Sequence, residues 1–99
     1  METIATRDLL GTTKEGTRLR IHVRIGRPYA ETKSEWACPV EVEGLAGKLP
    51  DIRGIDALQA LWLAILIVRE LLVGFVQDGG QLYWPDEPDH PLTIDDLLR

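Results

Sequence analysis

A chain of 99 residues, 44% hydrophobic and 27% charged, has the composition of one ordinary globular domain spanning 1–99. Its single cysteine, Cys38, excludes an intrachain disulfide, and a net charge of −5 argues against nucleic-acid binding driven by bulk charge. The imbalance is local: residues 1–77 carry ten acids and ten bases, whereas residues 78–99 hold six acids against Arg99 alone.

In chain order, Met1 to Asp8 lacks the basic region and apolar run of a secretory signal, and with the lone thiol this predicts a cytoplasmic protein. Residues 3–12 read as a first strand of imperfect alternation, which suggests a bulge or an edge position. A turn follows at Thr13-Lys14-Glu15-Gly16. Thr17 to Arg27 is the clearest strand, with Leu19, Ile21, Val23 and Ile25 alternating against Arg18, Arg20, His22 and Arg24. Gly26 to Thr32 reads as a loop. A third strand then places Trp36, Cys38, Val40 and Val42 on one face, and Pro39 marks an edge or a bulge because proline cannot donate to a ladder. If the second and third strands pair, the arginines face Glu35, Glu41 and Glu43, a cross-strand charge pattern rather than an anion site.

Gly44 to Asp51 connects this sheet to the one long helix, Asp56 to Asp78, a rod of about 33 Å at ~1.5 Å per residue. Asp56 is the expected N-cap, with Gln59 at capping-box spacing, and Gly79-Gly80 the expected stop. Leu58, Leu61, Ile65, Val68, Leu72 and Val76 form the expected core stripe. The opposite face mixes polar residues with Ala60, Leu63, Ile67 and Gly74, and every residue from Ala60 to Val68 is apolar. A helix apolar on nearly all sides asks for cover on more than one side. A membrane span would have to hold Arg69-Glu70 at a cost of about 2.5–3.5 kcal/mol per charge, so no membrane is expected. A second copy of the chain laid against Ala60, Leu63, Ile67 and Gly74 is preferred.

Residues 80–99 read as a short strand, Gln81 to Trp84, and an acidic, proline-rich tail in which Thr93 and Asp96 cap a last turn through Leu97 and Leu98. Trp84 is the expected anchor of that segment, and Trp36, Tyr83 and Trp84 are candidates for a small-ligand pocket. Asp86 to His90 contains metal-capable groups without a second cluster, so no metal site is expected. With one serine, two histidines and a cysteine on an apolar strand face, no catalytic constellation and no cofactor motif emerges.

Gly54-Ile55-Asp56-Ala57-Leu58 resembles the G-x-D-S-L motif of acyl carrier proteins, but Ala57 stands where the carrier serine would bear its prosthetic group. Trp36-x-Cys38 on a strand, followed by Gly54-Ile55-Asp56-Ala57-Leu58-Gln59-Ala60-Leu61 opening a long helix, resembles an uncharacterised family of small bacterial proteins. That resemblance implies no activity. The expected fold is α+β, a three- to four-stranded antiparallel sheet in the order β-β-β-α-β with one long helix across one face. The expected function is that of a non-enzymatic bacterial interaction module, a homodimer through its helix. An immunity- or antitoxin-like inhibitor of a basic partner protein and a small-ligand-binding domain are the alternatives.

Overall fold

In the computed structural model, which describes residues 1–97, two strands with alternating apolar residues form the first hairpin. β1 (Thr3–Thr12) pairs antiparallel with β2 (Arg18–Gly26), so that Arg7, Leu9 and Gly11 lie opposite Val23, Ile21 and Leu19. The turn between them is closed by the Thr13 amide on the Thr17 carbonyl at 2.8 Å, with Gly16 at φ +89°. The register slips between Thr3 and Ala5, which is the bulge that the broken alternation of the first strand implies.

The segment expected to be a loop after Gly26 returns to strand. β3 (Tyr29–Thr32) pairs with β4 (Glu35–Cys38), and β5 (Val40–Glu43) pairs with β2. One long hairpin is therefore bent across Pro28 and Pro39, whose missing N–H groups interrupt both arms at nearly the same level. The Gly26 amide donates to the Pro39 carbonyl at 2.9 Å and joins the two arms at the bend. Beyond it the arms belong to a second sheet, and burial shifts phase: Ala37 and Cys38 are both fully enclosed.

β6 (Gly47–Lys48) extends the first sheet, and β7 (Ile52–Gly54) extends the second. After helix α1 (Ala57–Gln77), β8 (Gln81–Tyr83) pairs with Leu10–Thr12 of β1. The result is a five-stranded sheet, β6-β5-β2-β1-β8, and a three-stranded sheet, β3-β4-β7, with α1 reaching from β4 and β7 to β2 and β8. The α+β class and the long helix are as the sequence indicates; the strands are more numerous and divided between two sheets. A short α2 (Ile94–Leu97) closes the chain. The Thr93 amide donates to Asp96 Oδ2 at 2.9 Å, the Asp96 amide returns to Thr93 Oγ1 at 3.3 Å, and Leu97 is buried. The expected share of Leu98 in that turn lies outside the described residues.

Both ends of α1 follow from local chemistry. Asp56 accepts from the Gln59 amide at 2.8 Å, while Gln59 Oε1 accepts from the Ile55 amide at 2.8 Å, so the capping box closes one residue upstream of its usual partner. At the far end Gly79 turns left-handed at φ +97°, and the Gly80 amide donates back to the Phe75 carbonyl at 3.0 Å.

The rotation of α1 about its own axis is a correction. The enclosed positions are Ala60, Ala64 and Leu72, with Leu61, Val68, Leu71, Phe75 and Val76 partly covered beside them. Leu58 and Ile65, expected in the core, are 73% and 42% exposed. Relative to the stripe of largest residues the buried face is turned by roughly 60°, at ~100° per residue. The cause is close approach: the helix comes so near β7 that only small residues fit at the seam, and the larger ones swing outward.

Candidate functional site

The turn of α1 leaves a line of large apolar side chains in solvent. Leu58 is 73% exposed and Trp62 61%; Ile65 and Leu66 continue the line one turn on, and Ile55 stands 70% exposed just before the helix. Spacings of three and four residues bring Leu58, Trp62, Ile65 and Leu66 onto one side. Soluble domains rarely leave a contiguous apolar patch of more than a few hundred Å² without a use for it. The helix is also long and apolar enough to cross a bilayer by length and composition alone.

The residues proposed from sequence for a dimer seam sit elsewhere. Ala60 is fully buried against β7 and takes no part in an outer face. Leu63 and Gly74 are half-buried on the flank, and Ile67 is 37% exposed on that same flank, away from Trp62. An alternative signal was present: Ala60 and Ala64, small residues one turn apart, mark the side of closest approach, and Trp62 lies opposite them.

Nor do Trp36, Tyr83 and Trp84 converge. Trp36 pairs with Gly54 at the entrance of α1, whereas Tyr83 and Trp84 follow its exit, some 30 Å away along a helix of 21 residues. Trp84 instead lies under the Arg7 guanidinium, 5.2 Å from its ring centre. One concave site is a cleft of 290 Å³ between α1 and strands β1 and β2, closed by α2, and a more polar hollow of 440 Å³ lies at the bend of the hairpin between Arg27, Tyr29, Pro39 and Asp51.

Some charges elsewhere are paired across strands, whereas Arg18 and Arg20 lie opposite Thr12 and Leu10 of β1 and beyond the reach of β5, so they do not meet the glutamates expected to face them. Arg24 meets Glu41 at 3.7 Å, and Asp8 meets His22 at 2.6 Å, while Glu43 lies opposite His22 in the ladder. Glu35 departs from the expected pattern: it belongs to the other sheet and binds Arg53, as does Glu31. Such exposed pairs contribute about 0.2–1 kcal/mol each. Among the described residues, no group of three or more His, Cys, Asp or Glu side chains is placed to hold a metal ion.

Cys38 is fully enclosed, and its thiol donates to the Gly26 carbonyl at 3.3 Å. Burial, and secondarily the Asp51 carboxylate, push its pKa up, away from the range of a reactive thiolate. The folded state thus favours the neutral thiol. That preference is complete below about pH 8.5, the ordinary thiol value, and is lost as pH rises through the raised one. A charged disulfide reagent at pH 8 is expected to label Cys38 only as fast as the domain opens, with labelling becoming immediate in denaturant. Fast labelling of the native chain would contradict this placement. Tyr29, whose hydroxyl donates to Asp51, also has its pKa raised, chiefly by that hydrogen bond.

A model described as a domain of unknown function, DUF6968, matches residues 5–94. The chain belongs to that family. No curated protein and no solved structure matches it. The DUF6968 match runs from β1 into the start of α2, so it contains the whole exposed line on α1 and every residue lining the cleft except Leu97.

Proposed function

We propose that this domain is a non-catalytic interaction module that associates with a second copy of itself through the outer side of α1. The observation that carries the reading is the exposed line Leu58, Trp62, Ile65 and Leu66 on a helix whose other side is already covered by two sheets. With Ile55 these side chains present on the order of 600 Å², against the ~800 Å² that each partner buries in a stable interface; Gln59 and Arg69, flanking the line, extend it.

A two-fold axis through the centre of the line is the arrangement that lets one surface meet itself. With the helices antiparallel and crossing near Trp62, the two indoles stack and Leu58 packs on Leu66 of the partner subunit. Indole, enriched in the fully desolvated centre of interfaces, is suited to that position. A lipid surface suits the line less well. The charges around it are balanced, Asp56 and Glu70 against Arg53 and Arg69, and Arg53 is paired with Glu31 and Glu35, so no cluster of bases draws an anionic bilayer.

Sedimentation at micromolar concentration is expected to give about twice the chain mass of 11.1 kDa. Trp62→Glu should weaken association at least ~100-fold, as loss of a central aromatic does, and leave a folded monomer, because Trp62 is 61% exposed and stands outside the core cluster. A wild-type protein that stays monomeric at 100-fold higher concentration ends the proposal, as does a Trp62→Glu dimer.

A further inference from the structure

The cleft beside α1 has a two-part chemistry of its own and shares only Ile65 and Arg69 with the association surface. Val23 and Ile25 of β2 face Val68 and Leu72 of α1, and Ile94 and Leu97 of α2 close one end, so the interior is almost wholly apolar. Among the described lining residues the only charged side chains are two arginines, Arg7 from β1 and Arg69 from α1. No carboxylate is among the described residues that line it.

Arg7 is held in place. Its guanidinium donates to the Leu97 carbonyl and rests on the Trp84 ring. One N–H is used in that bond, and the fork retains four further donors. Arg69 touches Glu70 at 3.2 Å, but the Glu70 side chain is 66% exposed, so solvent weakens that hold. A greasy slot bordered by two guanidiniums is complementary to a molecule with an apolar body and one anionic end, and the planar fork matches a carboxylate in bidentate fashion.

We infer that the cleft between α1 and the β1–β2 hairpin binds a single-chain carboxylate amphiphile, its alkyl chain between Val23 and Leu72 and its head at Arg7 and Arg69. A volume of 290 Å³ accommodates an alkyl chain of roughly ten small groups at ~30 Å³ each. Each methylene taken from water into such a slot strengthens binding about fourfold. Affinity therefore rises from hexanoate through octanoate to decanoate and levels off once the slot is full.

The test is a titration of the full chain with sodium decanoate below its micelle concentration, followed by amide chemical shifts. Shifts are expected at Val23 to Ile25 and Ile65 to Leu72, with decanol binding at least tenfold more weakly. Ala5→Trp places a large side chain at the rim from an exposed position and should reduce decanoate affinity tenfold or more without lowering the melting temperature. Arg69→Gln should reduce decanoate affinity by a similar factor and leave decanol unchanged. Trp62→Glu should bind decanoate as the wild type does, which separates this site from self-association. Equal affinity for decanoate and decanol overturns the inference. So do shifts confined to Ile55 to Trp62, an unaffected Ala5→Trp or Arg69→Gln variant, or loss of decanoate binding in Trp62→Glu.

Discussion

Gly54→Val is expected to cost at least ~3 kcal/mol, beyond the usual range for overpacking, because its obstruction is backbone and cannot rotate away. A Cβ at Gly54 would lie 2.6 Å from the Ala60 amide nitrogen and 3.0 Å from the Ala60 Cα and the Gln59 carbonyl carbon. Positive φ plays no part here, so the cost is wholly one of space. To admit the side chain, α1 must lift from β7, which opens the seam at Ala60 and Ala64, both now fully enclosed. Gly74→Ala on the same helix is the counterpart. Nothing lies within 4 Å of a Cβ there, so the substitution should gain about 0.5–1 kcal/mol from helix propensity alone. Urea denaturation reads both. Should Gly54→Val unfold at the wild-type midpoint, the close approach of helix and strand described above is wrong.

That seam also explains which parts of the molecule were legible in the sequence. The alternation from Leu19 to Ile25 declares its inner face because every second residue is apolar and the rest are basic or His22. Asp56, Gln59 and Gly79 declare the helix ends because capping depends on a few neighbouring residues. Orientation of the helix is a different matter. Where nearly every side chain is apolar, periodicity does not select a side, and the deciding quantity is the distance to β7, which Gly54 sets from outside the helix. A stripe of the bulkiest residues then points to the wrong side, and Trp62 is left in solvent.

Short strands were hidden for a related reason. Tyr29–Thr32 is exposed along its whole length, so it carries no alternation of burial, and the Pro28 before it reads as punctuation. Ile52–Gly54 is three residues long and lies inside what looks like a connection. Pro39 was legible as an interruption; that the chain changes sheets there depends on Pro28, which stands opposite in the hairpin. The cleft was not legible at all. Its two arginines are 62 positions apart in the chain, and only the fold brings them to the lining of one cleft.

Leu82→Ala is expected to cost about 2–5 kcal/mol, the range for truncating an enclosed leucine, out of a total of ~5–15 kcal/mol for a domain of this kind. Leu82 is among the largest side chains with no exposed surface, and it sits on a strand of three residues. β8 holds the last part of the chain in place: one side pairs with Leu10–Thr12, and the Leu82 carbonyl accepts from the Leu92 amide at 2.7 Å. It also follows the exit of α1 immediately, through a turn so tight that a Cβ at Gly80 would fall 2.5 Å from the Phe75 ring. Loosening Leu82 therefore frees α2 and the end of α1 together, and the cleft that α2 closes should lose decanoate affinity as well as stability. Trp84 competes for the role of anchor, as its size suggests, but it is only half-buried and its ring is occupied by Arg7. Trp84→Ala should cost less than Leu82→Ala. If denaturation midpoints rank the two variants in the opposite order, the tail is held by the indole, and the small strand merely follows it.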